Sequence, residues 1–235
     1  MGSTSEKGHA KNVANFKLLI TQIEEIGVLY NPSNSKLNLP QLQIIYDSAL
    51  QCQNGVNTAY GSYTDSVATR ENLFSPLSKL TTKIRKVYKS TDGVEANQLE
   101  NFMTIARKIK GNKKYSSDPV ENAHSSSQFS YDQRTNSLDK LIVLLENTEN
   151  YNPNEIEFKT ETLRTLYNEM MVKTQNVNQK FVPLNNARSQ RNDILYLNVN
   201  SLVDIAYKAK DYLFTILNTN SVQYKSIAKI KFSRI

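Results

Sequence analysis

The sequence contains an internal repeat. Residues Leu42–Phe74 realign on Leu163–Leu195 at a constant offset of 121 residues. The tripeptide Tyr-Asn-Pro at 30–32 likewise returns at 151–153. Copies that share one pattern of packing residues fold into related modules, because each must bury the same side chains. The repeat therefore predicts a fold built by internal duplication.

Composition favours helices over strands. The 235 residues include only seven glycines and six prolines, and no segment alternates convincingly between apolar and polar side chains. Apolar stripes recur instead at helical spacing, as in Phe16, Leu19, Ile20 and Ile23. We predict an all-α fold of two four-helix units, eight helices in total, forming an elongated bundle. The first helix of each copy is predicted at about 12–26 and 132–148, and the last at about 222–232 in the second copy.

The second helix of each copy is long and carries a heptad-like seam. Apolar side chains follow 3-4 spacing for about 36 residues, a pattern typical of helices that pack along a shared line. Two positions of the seam are polar in both copies, and a buried polar group there can fix register or partner. The candidate buried polar residues are Gln53 and Thr174 at one position and Arg70 and Arg191 at the other.

Each arginine of the seam has two interpretations. Its side chain either lies along apolar surface with the guanidinium in water, or is buried and requires an acidic partner. The first interpretation is favoured, because the seam drifts outward by that point. For the second, the candidate partners are Asp65, Glu71 and Asp193.

The repeat also divides the chain. We predict an N-terminal tail at 1–11, a first four-helix repeat at 12–110 and a second at 131–235. Residues 111–130 are rich in Ser, Asn and Lys and predict a flexible linker. Each repeat is long enough to bury a core of its own.

Two short segments carry a family resemblance. They are STSEKGHAKNVANF at 3–16 and SYDQR at 130–134. Together with the two Tyr-Asn-Pro turns, they resemble a family of uncharacterised, duplicated all-helical proteins from Bacteroidota. The resemblance spans essentially the whole chain and implies a bacterial protein with a natural start. It implies no activity, cofactor or site residue.

Residue types that carry catalysis are scarce. His9 and His124 fall in the predicted tail and linker, and neither has a counterpart in the other copy. The single cysteine, Cys52, has no histidine partner and is expected to be an ordinary part-buried residue. Acid–base, nucleophilic and metal sites usually recruit these types in clusters. We therefore expect no enzyme activity, no cofactor and no metal site.

No segment predicts secretion or a membrane helix. The longest uninterrupted apolar run is Leu141–Leu145, far short of the roughly 18–20 residues that a spanning helix requires. No apolar leader opens the chain, and a single cysteine cannot form an intramolecular disulfide. The expected location is the cytoplasm.

Charge is the strongest functional signal. The formal net charge is +7, and ten basic residues oppose three acidic ones between Pro76 and Lys114. Tyrosines are interleaved with the basic residues of both copies: Tyr88, Tyr115, Tyr207, Tyr212 and Tyr224. The candidate anion- or partner-binding residues are Lys79, Lys83, Arg85, Lys86, Lys89, Arg107, Lys108, Lys110, Lys208, Lys210, Lys225, Lys229 and Lys231.

These features rank three functions. The leading one is a non-enzymatic structural or interaction protein that binds a protein partner or further copies of itself through complementary acidic and basic surfaces. The alternative is a sequence-tolerant nucleic-acid-binding protein that uses the basic helices. A minor alternative is an α-helical pore-forming toxin component, which would need a concealed apolar segment. The simplest explanation of the charge is a solvated basic face with no specific partner.

Overall fold

The computed structural model describes residues 8–111 and 130–234, and both ranges are all-α with no β-strand. The helices are α1 (His9–Ile26), α2 (Leu39–Phe74), α3 (Leu77–Ser90), α4 (Ala96–Lys110), α5 (Tyr131–Glu146), α6 (Thr160–Asn192), α7 (Leu202–Ile216) and α8 (Val222–Lys229). A π-helical turn, Asp193–Leu197, continues α6. The predicted all-α class is confirmed. Nearly all of the predicted linker, and the first seven residues of the predicted tail, lie outside the described residues.

Two of these helices are not independent elements of full size. Helix α3 follows α2 after the turn Ser75–Pro76, and α8 has only eight residues. With α2 and α3 counted as one interrupted helix and α8 left out, the described residues contain six helices, not the predicted eight. Pro76 accounts for the interruption, because proline has no backbone N–H to continue the α2 hydrogen-bond ladder.

Several helix ends differ from the prediction. Helix α1 begins at His9, so that residues 9–11 of the predicted tail are helical. Helix α8 ends at Lys229, and the chain continues beyond it with Ile230 in extended backbone (φ −73°, ψ 112°). Residues 230–234, called the 230–234 segment below, belong to no helix, although the sequence predicted helix to 232. The two stops before Tyr-Asn-Pro are confirmed, since α1 ends at Ile26 and α5 at Glu146.

One heptad position supplies the buried face of both long helices. Its side chains are each at most 7% exposed and are Leu42, Ala49, Val56, Leu163, Met170, Val177 and Leu184. Seven residues make nearly two helical turns, so this position faces the same way throughout. The other seam position is mixed: Tyr60 and Phe181 are exposed, whereas Phe74, Thr174 and Leu195 are each at most 7% exposed. The predicted seam is therefore core along most of one position and only in part at the other.

Packing divides the described residues into two compact units. Unit 1 consists of 8–62 and 182–234, and unit 2 consists of 63–111 and 130–181. The boundaries fall inside α2 and α6. Each unit therefore combines residues of both predicted repeats, and the repeats divide the sequence differently from the packing.

The core of unit 1 lies between α1 and α7, with the long helices and the 230–234 segment beside them. Its completely buried side chains include Phe16, Leu19 and Ile20 of α1 and Ala206, Ala209 and Leu213 of α7. The two alanines allow a close approach of α7, because they add little side-chain volume. Phe232 of the 230–234 segment packs edge-on against Phe16, with ring centroids 6.5 Å apart.

The core of unit 2 is built by α3, α4 and α5 on the first part of α6. Its completely buried side chains include Ile84, Tyr88, Phe102, Ile109, Leu138 and Leu141. The Tyr88 ring stacks on Phe102, with centroids 5.1 Å apart. Helix α4 begins with a capping box in which Glu95 and Gln98 satisfy each other's backbone N–H groups.

One hydrogen bond recurs in the two units. The Tyr30 hydroxyl donates to the Leu37 carbonyl over 2.8 Å, and the Tyr151 hydroxyl donates to the Phe158 carbonyl over 2.9 Å. The two pairs are related by the sequence offset of 121 residues. The side chains of Leu37 and Phe158, whose carbonyls accept the bonds, are buried. The chain after each Tyr-Asn-Pro thus has the same local structure.

Candidate functional site

A groove of about 770 Å³ lies on unit 1, between α1 and the 230–234 segment. Its apolar lining comes from Leu18, Ile230 and Phe232. The remaining lining residues are Lys11, Asn12, Asn15, Ser226, Lys229, Lys231, Ser233 and Arg234. Four of these are basic and none is acidic, so this basic groove offers positive charge around an apolar surface.

One wall of the basic groove is fixed by side chains of α1. Asn15 Nδ2 donates to the Lys231 carbonyl over 2.7 Å. The Asn12 side chain, only 1% exposed, donates to the Ser233 carbonyl over 2.8 Å and accepts from the Ser233 N–H over 3.1 Å. Because the backbone of the wall is bonded, the Lys231 side chain is left exposed.

Four of the five candidate basic residues in the second repeat are exposed: Lys208, Lys225, Lys229 and Lys231. Lys210 is not. Its side chain is 9% exposed, and its Nζ donates to the Ile230 carbonyl over 2.5 Å. Burial lowers the pKa of the Lys210 amine. Lys210 therefore does not belong to the exposed basic surface of the single chain, because it lies on the core-facing side of α7.

The structure adds two basic residues that sequence reasoning missed. Lys11 was assigned to the tail, but it lies in the first turn of α1 and lines the basic groove. Arg234 also lines it and forms an ion pair with Asp204. Nothing in the sequence pointed to Lys11. For Arg234, the only signal was that it follows Lys231 by three residues.

The basic residues of the first repeat lie on α3 and α4 in unit 2. Six are exposed: Lys79, Lys83, Lys86, Lys89, Arg107 and Lys108. Three residues of this hairpin have neighbours within unit 2: Lys83 pairs with Glu157 at 3.1 Å, Arg85 donates to Met103 Sδ over 3.4 Å, and Lys110 donates to Thr82 Oγ1 over 2.8 Å. Two exposed lysines of α3, Lys86 and Lys89, lie within one turn of each other.

A second groove, of about 540 Å³, runs beside α3 in unit 2. Its apolar lining includes Leu80, Leu163 and Leu166, and its charged residues are Lys79, Lys83, Glu157 and Glu169. The charges of this groove are mixed, so it has no preference for an acidic ligand. It differs in that respect from the basic groove of unit 1.

An acidic turn lies between α5 and α6 in unit 2. Its exposed carboxylates are Glu149, Glu155, Glu157 and Glu161. Ile156 stands between two of them in a short 3₁₀ turn and is 74% exposed. The Tyr151 hydrogen bond to Phe158 holds the turn at its base. The turn therefore presents one apolar side chain framed by acids.

The tyrosines near the basic residues are not free to stack on bases. Tyr88 is completely buried. Tyr212 packs edge-on against Tyr30 at 5.4 Å, and Tyr224 packs on Phe214 at 4.7 Å. The hydroxyl of Tyr207 donates to the Phe232 carbonyl over 2.8 Å. The remaining candidate, Tyr115, lies outside the described residues.

Three of the four candidate polar residues of the seam have a buried atom that makes no hydrogen bond. Gln53 Oε1, Arg70 Nε and Thr174 Oγ1 are buried atoms without a hydrogen-bond partner. Thr174 is buried as a residue, whereas Gln53, Arg70 and Arg191 are half-buried. Both Nε and Nη2 of Arg191 donate to Asn192 Oδ1, over 3.2 and 2.9 Å.

Neither Arg70 nor Arg191 forms an ion pair with its candidate acidic partners, Asp65, Glu71 and Asp193. Among the described residues, no carboxylate lies within ion-pair distance of Arg70 or Arg191. Arg70 stacks on Tyr131 instead, with its guanidinium carbon 3.8 Å from the ring centroid. The first interpretation, in which the arginine lies along apolar surface, describes Arg70 better than the buried ion pair does.

His9 is not a solvated tail residue. It is half-buried in the first turn of α1, and its Nδ1 lies 2.9 Å from the Tyr196 hydroxyl. Burial and the nearby Arg191 charge lower the pKa of His9, which favours the neutral ring. The other histidine, His124, lies outside the described residues. Cys52 is half-buried, as expected.

The part of the chain that the structure describes has neither a metal-binding group nor a membrane-spanning helix. In residues 8–111 and 130–234, no three His, Cys, Asp or Glu side chains are grouped so that they could hold a metal ion. Over the same ranges, no helix has both the length and the apolar character to span a bilayer. Comparison with known proteins gave no match to a family model, a curated protein or a solved structure.

Proposed function

We propose that this chain is a non-enzymatic interaction protein, built by internal duplication, that assembles with copies of itself through complementary surfaces. The observation that carries the proposal is the pairing of shapes and charges between two surfaces of the same chain. The basic groove of unit 1 has an apolar lining and four basic residues. The acidic turn of unit 2 has an exposed Ile156 framed by glutamates.

Apolar contact provides the affinity in this arrangement. Ile156 is 74% exposed in the single chain. Its burial against Leu18 in the groove of a second copy contributes about 1.5–3 kcal/mol. Leu18 is itself 49% exposed in the single chain, so both surfaces lose contact with water on assembly.

Charge provides orientation and specificity. Glu155 and Glu161 are exposed in the turn, and Lys229 and Lys231 are exposed in the groove, so the two surfaces carry opposite charges. Complementary charges across an interface accelerate association and disfavour other registers, and their effect falls with added salt. A groove and a turn on the same chain are compatible with a reciprocal two-fold dimer and with head-to-tail rings or linear arrays.

The internal duplication is part of the same proposal. The repeated Tyr30–Leu37 and Tyr151–Phe158 hydrogen bonds support a common ancestor for the two copies. The copies have diverged at the surfaces of interest. The acidic turn follows the second Tyr-Asn-Pro, whereas the equivalent stretch of the first copy, Asn34-Ser35-Lys36, has no acidic residue. The acidic turn thus belongs to the second copy alone, whereas both copies contribute residues to the basic groove.

A charge-swap experiment tests the proposal. Variant G carries Lys229→Glu and Lys231→Glu in the groove, and variant T carries Glu155→Lys and Glu161→Lys in the turn. Each variant alone is expected to assemble far less than the wild type, because its reversed groove or turn positions no longer meet residues of opposite charge. An equimolar mixture is expected to recover part of the assembly, since the reversed positions of G and T are complementary to each other. A matched control, Lys86→Glu with Lys89→Glu on α3, changes the charge equally and should assemble as the wild type does.

Two results would overturn this assignment. One is a variant G that assembles as well as the wild type. The other is a mixture of G and T that stays monomeric while both variants retain the wild-type circular dichroism spectrum. Mass photometry or analytical ultracentrifugation distinguishes these outcomes at low salt.

A second candidate function is binding of nucleic acid by α3 and α4. The observation that favours it is the group of exposed basic residues on one hairpin, among them Lys79, Lys86 and Lys89. Such residues bind phosphates without sequence preference. The buried Tyr88 weighs against base stacking. Charge reversal of the three lysines should abolish retention on a single-stranded DNA column at low salt, and unchanged retention would remove this candidate.

A further inference from the structure

The 230–234 segment is bound through its backbone by two helices. Four successive carbonyls each accept a hydrogen bond from a different side chain. The donors are Lys210 to Ile230 O (2.5 Å), Asn15 to Lys231 O (2.7 Å), Tyr207 to Phe232 O (2.8 Å) and Asn12 to Ser233 O (2.8 Å). No other described stretch of this chain has four consecutive carbonyls bonded by side chains from two helices.

The donors alternate between the two sides of the segment. Carbonyls of residues 230 and 232 are bonded from α7, and those of residues 231 and 233 from α1. Successive carbonyls of an extended chain point to opposite sides, so this alternation is what a strand between two partners shows. The helices here take the place of neighbouring strands. Asn12, Asn15, Tyr207 and Lys210 therefore define a cleft that binds an extended peptide, called the α1–α7 cleft below.

The side chains of the segment alternate as well. Ile230 and Phe232 are 4% and 7% exposed, whereas Lys231 and Arg234 are exposed. Two apolar anchors and a bonded backbone make a complete recognition element of five residues. This is the way in which sheet edges and clefts recognise short peptides: the backbone supplies affinity and alternate side chains supply specificity.

The contacts in the α1–α7 cleft do not depend on which chain supplies the segment. The segment reaches the cleft through α8 and the turn at 217–221, where Leu217 and Ser221 have extended backbone (ψ 143° and 153°). A change of direction in that turn would carry α8 and the segment to another molecule. Closed and exchanged forms contain the same hydrogen bonds and apolar contacts, and exchange of identical elements is a low-cost route to oligomers.

We propose that the α1–α7 cleft accepts the 230–234 segment of a second copy, so that copies associate by exchanging α8 and this segment. The exchange goes beyond the charge-guided assembly proposed above, because it uses buried contacts and does not require the acidic turn. Burial lowers the pKa of Lys210, in agreement with a cleft that is closed to water when the segment is bound.

Cross-linking between two single-cysteine variants tests the exchange. Both variants carry Cys52→Ser. The acceptor adds Asn15→Cys and the donor adds Lys231→Cys, two positions that are adjacent in the closed chain. The full-length variants are mixed, incubated at high salt to suppress charge-guided assembly, and treated with a short bismaleimide. The double variant Asn15→Cys/Lys231→Cys, diluted and unmixed, reports the closed form as a cross-link within one chain.

Exchange predicts a covalent dimer of acceptor and donor whose yield rises with incubation time. A control mixture of Asn15→Cys with Lys89→Cys should give several-fold less, because Lys89 lies on α3 in the other unit. If the double variant cross-links within its chain while the acceptor–donor mixture gives no more dimer than the control, the exchange does not occur. Since the cross-linking is carried out at high salt, where charge-guided assembly is suppressed, the failure of the exchange and the failure of charge-guided assembly are separately visible.

Discussion

The guanidinium carbon of Arg70 lies 3.8 Å from the centroid of the Tyr131 ring in unit 2. Arg70 belongs to α2 and Tyr131 opens α5, so the contact joins the two predicted repeats within one unit. The Tyr131 ring in turn packs edge-on against Phe74, with centroids 4.8 Å apart. The stack offers the guanidinium an electron-rich surface, so that Arg70 does not need the carboxylate partner that the less favoured interpretation required.

Removal of Arg70 should destabilise unit 2 through this stack. We expect Arg70→Ala to lower the free energy of unfolding by about 1–2 kcal/mol, the range of a partly desolvated cation–π contact. A double-mutant cycle with Tyr131→Leu should give a coupling energy of about 1 kcal/mol. Urea denaturation measures both. A coupling energy of zero would show that Arg70 and Tyr131 contribute independently.

Removal of the unpaired Thr174 hydroxyl should stabilise the protein. Thr174 Oγ1 is buried without a partner, so Thr174→Val deletes a desolvated polar group and is expected to gain about 0.5–1 kcal/mol. Thr81 is the matched control: it is 1% exposed, but its hydroxyl donates to the Leu77 carbonyl over 2.7 Å. Thr81→Val should cost about 0.5–1 kcal/mol. Thermal unfolding of the two variants should therefore shift in opposite directions, and a loss of stability in both would contradict the assignment.

The turn tyrosines should make stability fall at alkaline pH. Burial raises the pKa of Tyr30 and of Tyr151 to about 12 in the folded chain, above the ordinary value of 10. A folded-state pKa above the unfolded value stabilises the protein below pH 10, and that contribution is lost as the pH rises towards 12. The double variant Tyr30→Phe/Tyr151→Phe should lose stability less steeply across this window. Absorbance at the phenolate band should also show two late-titrating tyrosines fewer than in the wild type.

The Arg164 ion pairs should contribute stability that is lost in acid. Arg164 donates to both carboxylate oxygens of Glu146, over 3.0 and 2.7 Å, and also pairs with Asp139. Its hydrogen bonds hold the pKa of Glu146 below the ordinary value of 4.5. A lowered folded-state pKa stabilises the protein above pH 4.5, and this contribution disappears as the pH falls through the folded-state value.

Arg164→Gln is therefore expected to cost about 0.5–1 kcal/mol at pH 7, a small effect because the groups are partly exposed and screened by water. The difference from the wild type should shrink below pH 4. Lys140→Gln, which removes an exposed positive charge from α5, serves as the control and should be neutral at both pH values. A difference that is independent of pH would rule out the ion pairs as its source.

The sequence was informative about the fold where local periodicity controls it. The heptad spacing predicted the seam that contains Leu42, Ala49 and Val56, and the apolar stripe of the first helix predicted its end near Ile26. Such features depend on a few consecutive residues. The composition of each unit could not be predicted, because it depends on where two long helices are divided between cores, and no local pattern encodes that division.

The candidate site was predicted less completely than the fold. Lysine clusters located Lys229 and Lys231, but the sequence could not separate Lys210 from them. All three are lysines of the second repeat, and only the packing of α7 shows that Lys210 is directed towards Ile230. Ile156 was overlooked for a related reason: one apolar residue among acids gives no periodic signal, and its exposure follows from the geometry of the turn.

The central claim is that copies of this chain assemble through the basic groove and the acidic turn. The most direct measurement is the sedimentation coefficient of the wild-type protein over a range of concentrations, at low salt and again at high salt. The account predicts species larger than a monomer that grow with concentration at low salt and dissociate substantially at high salt. A monomer at every concentration in low salt would contradict it.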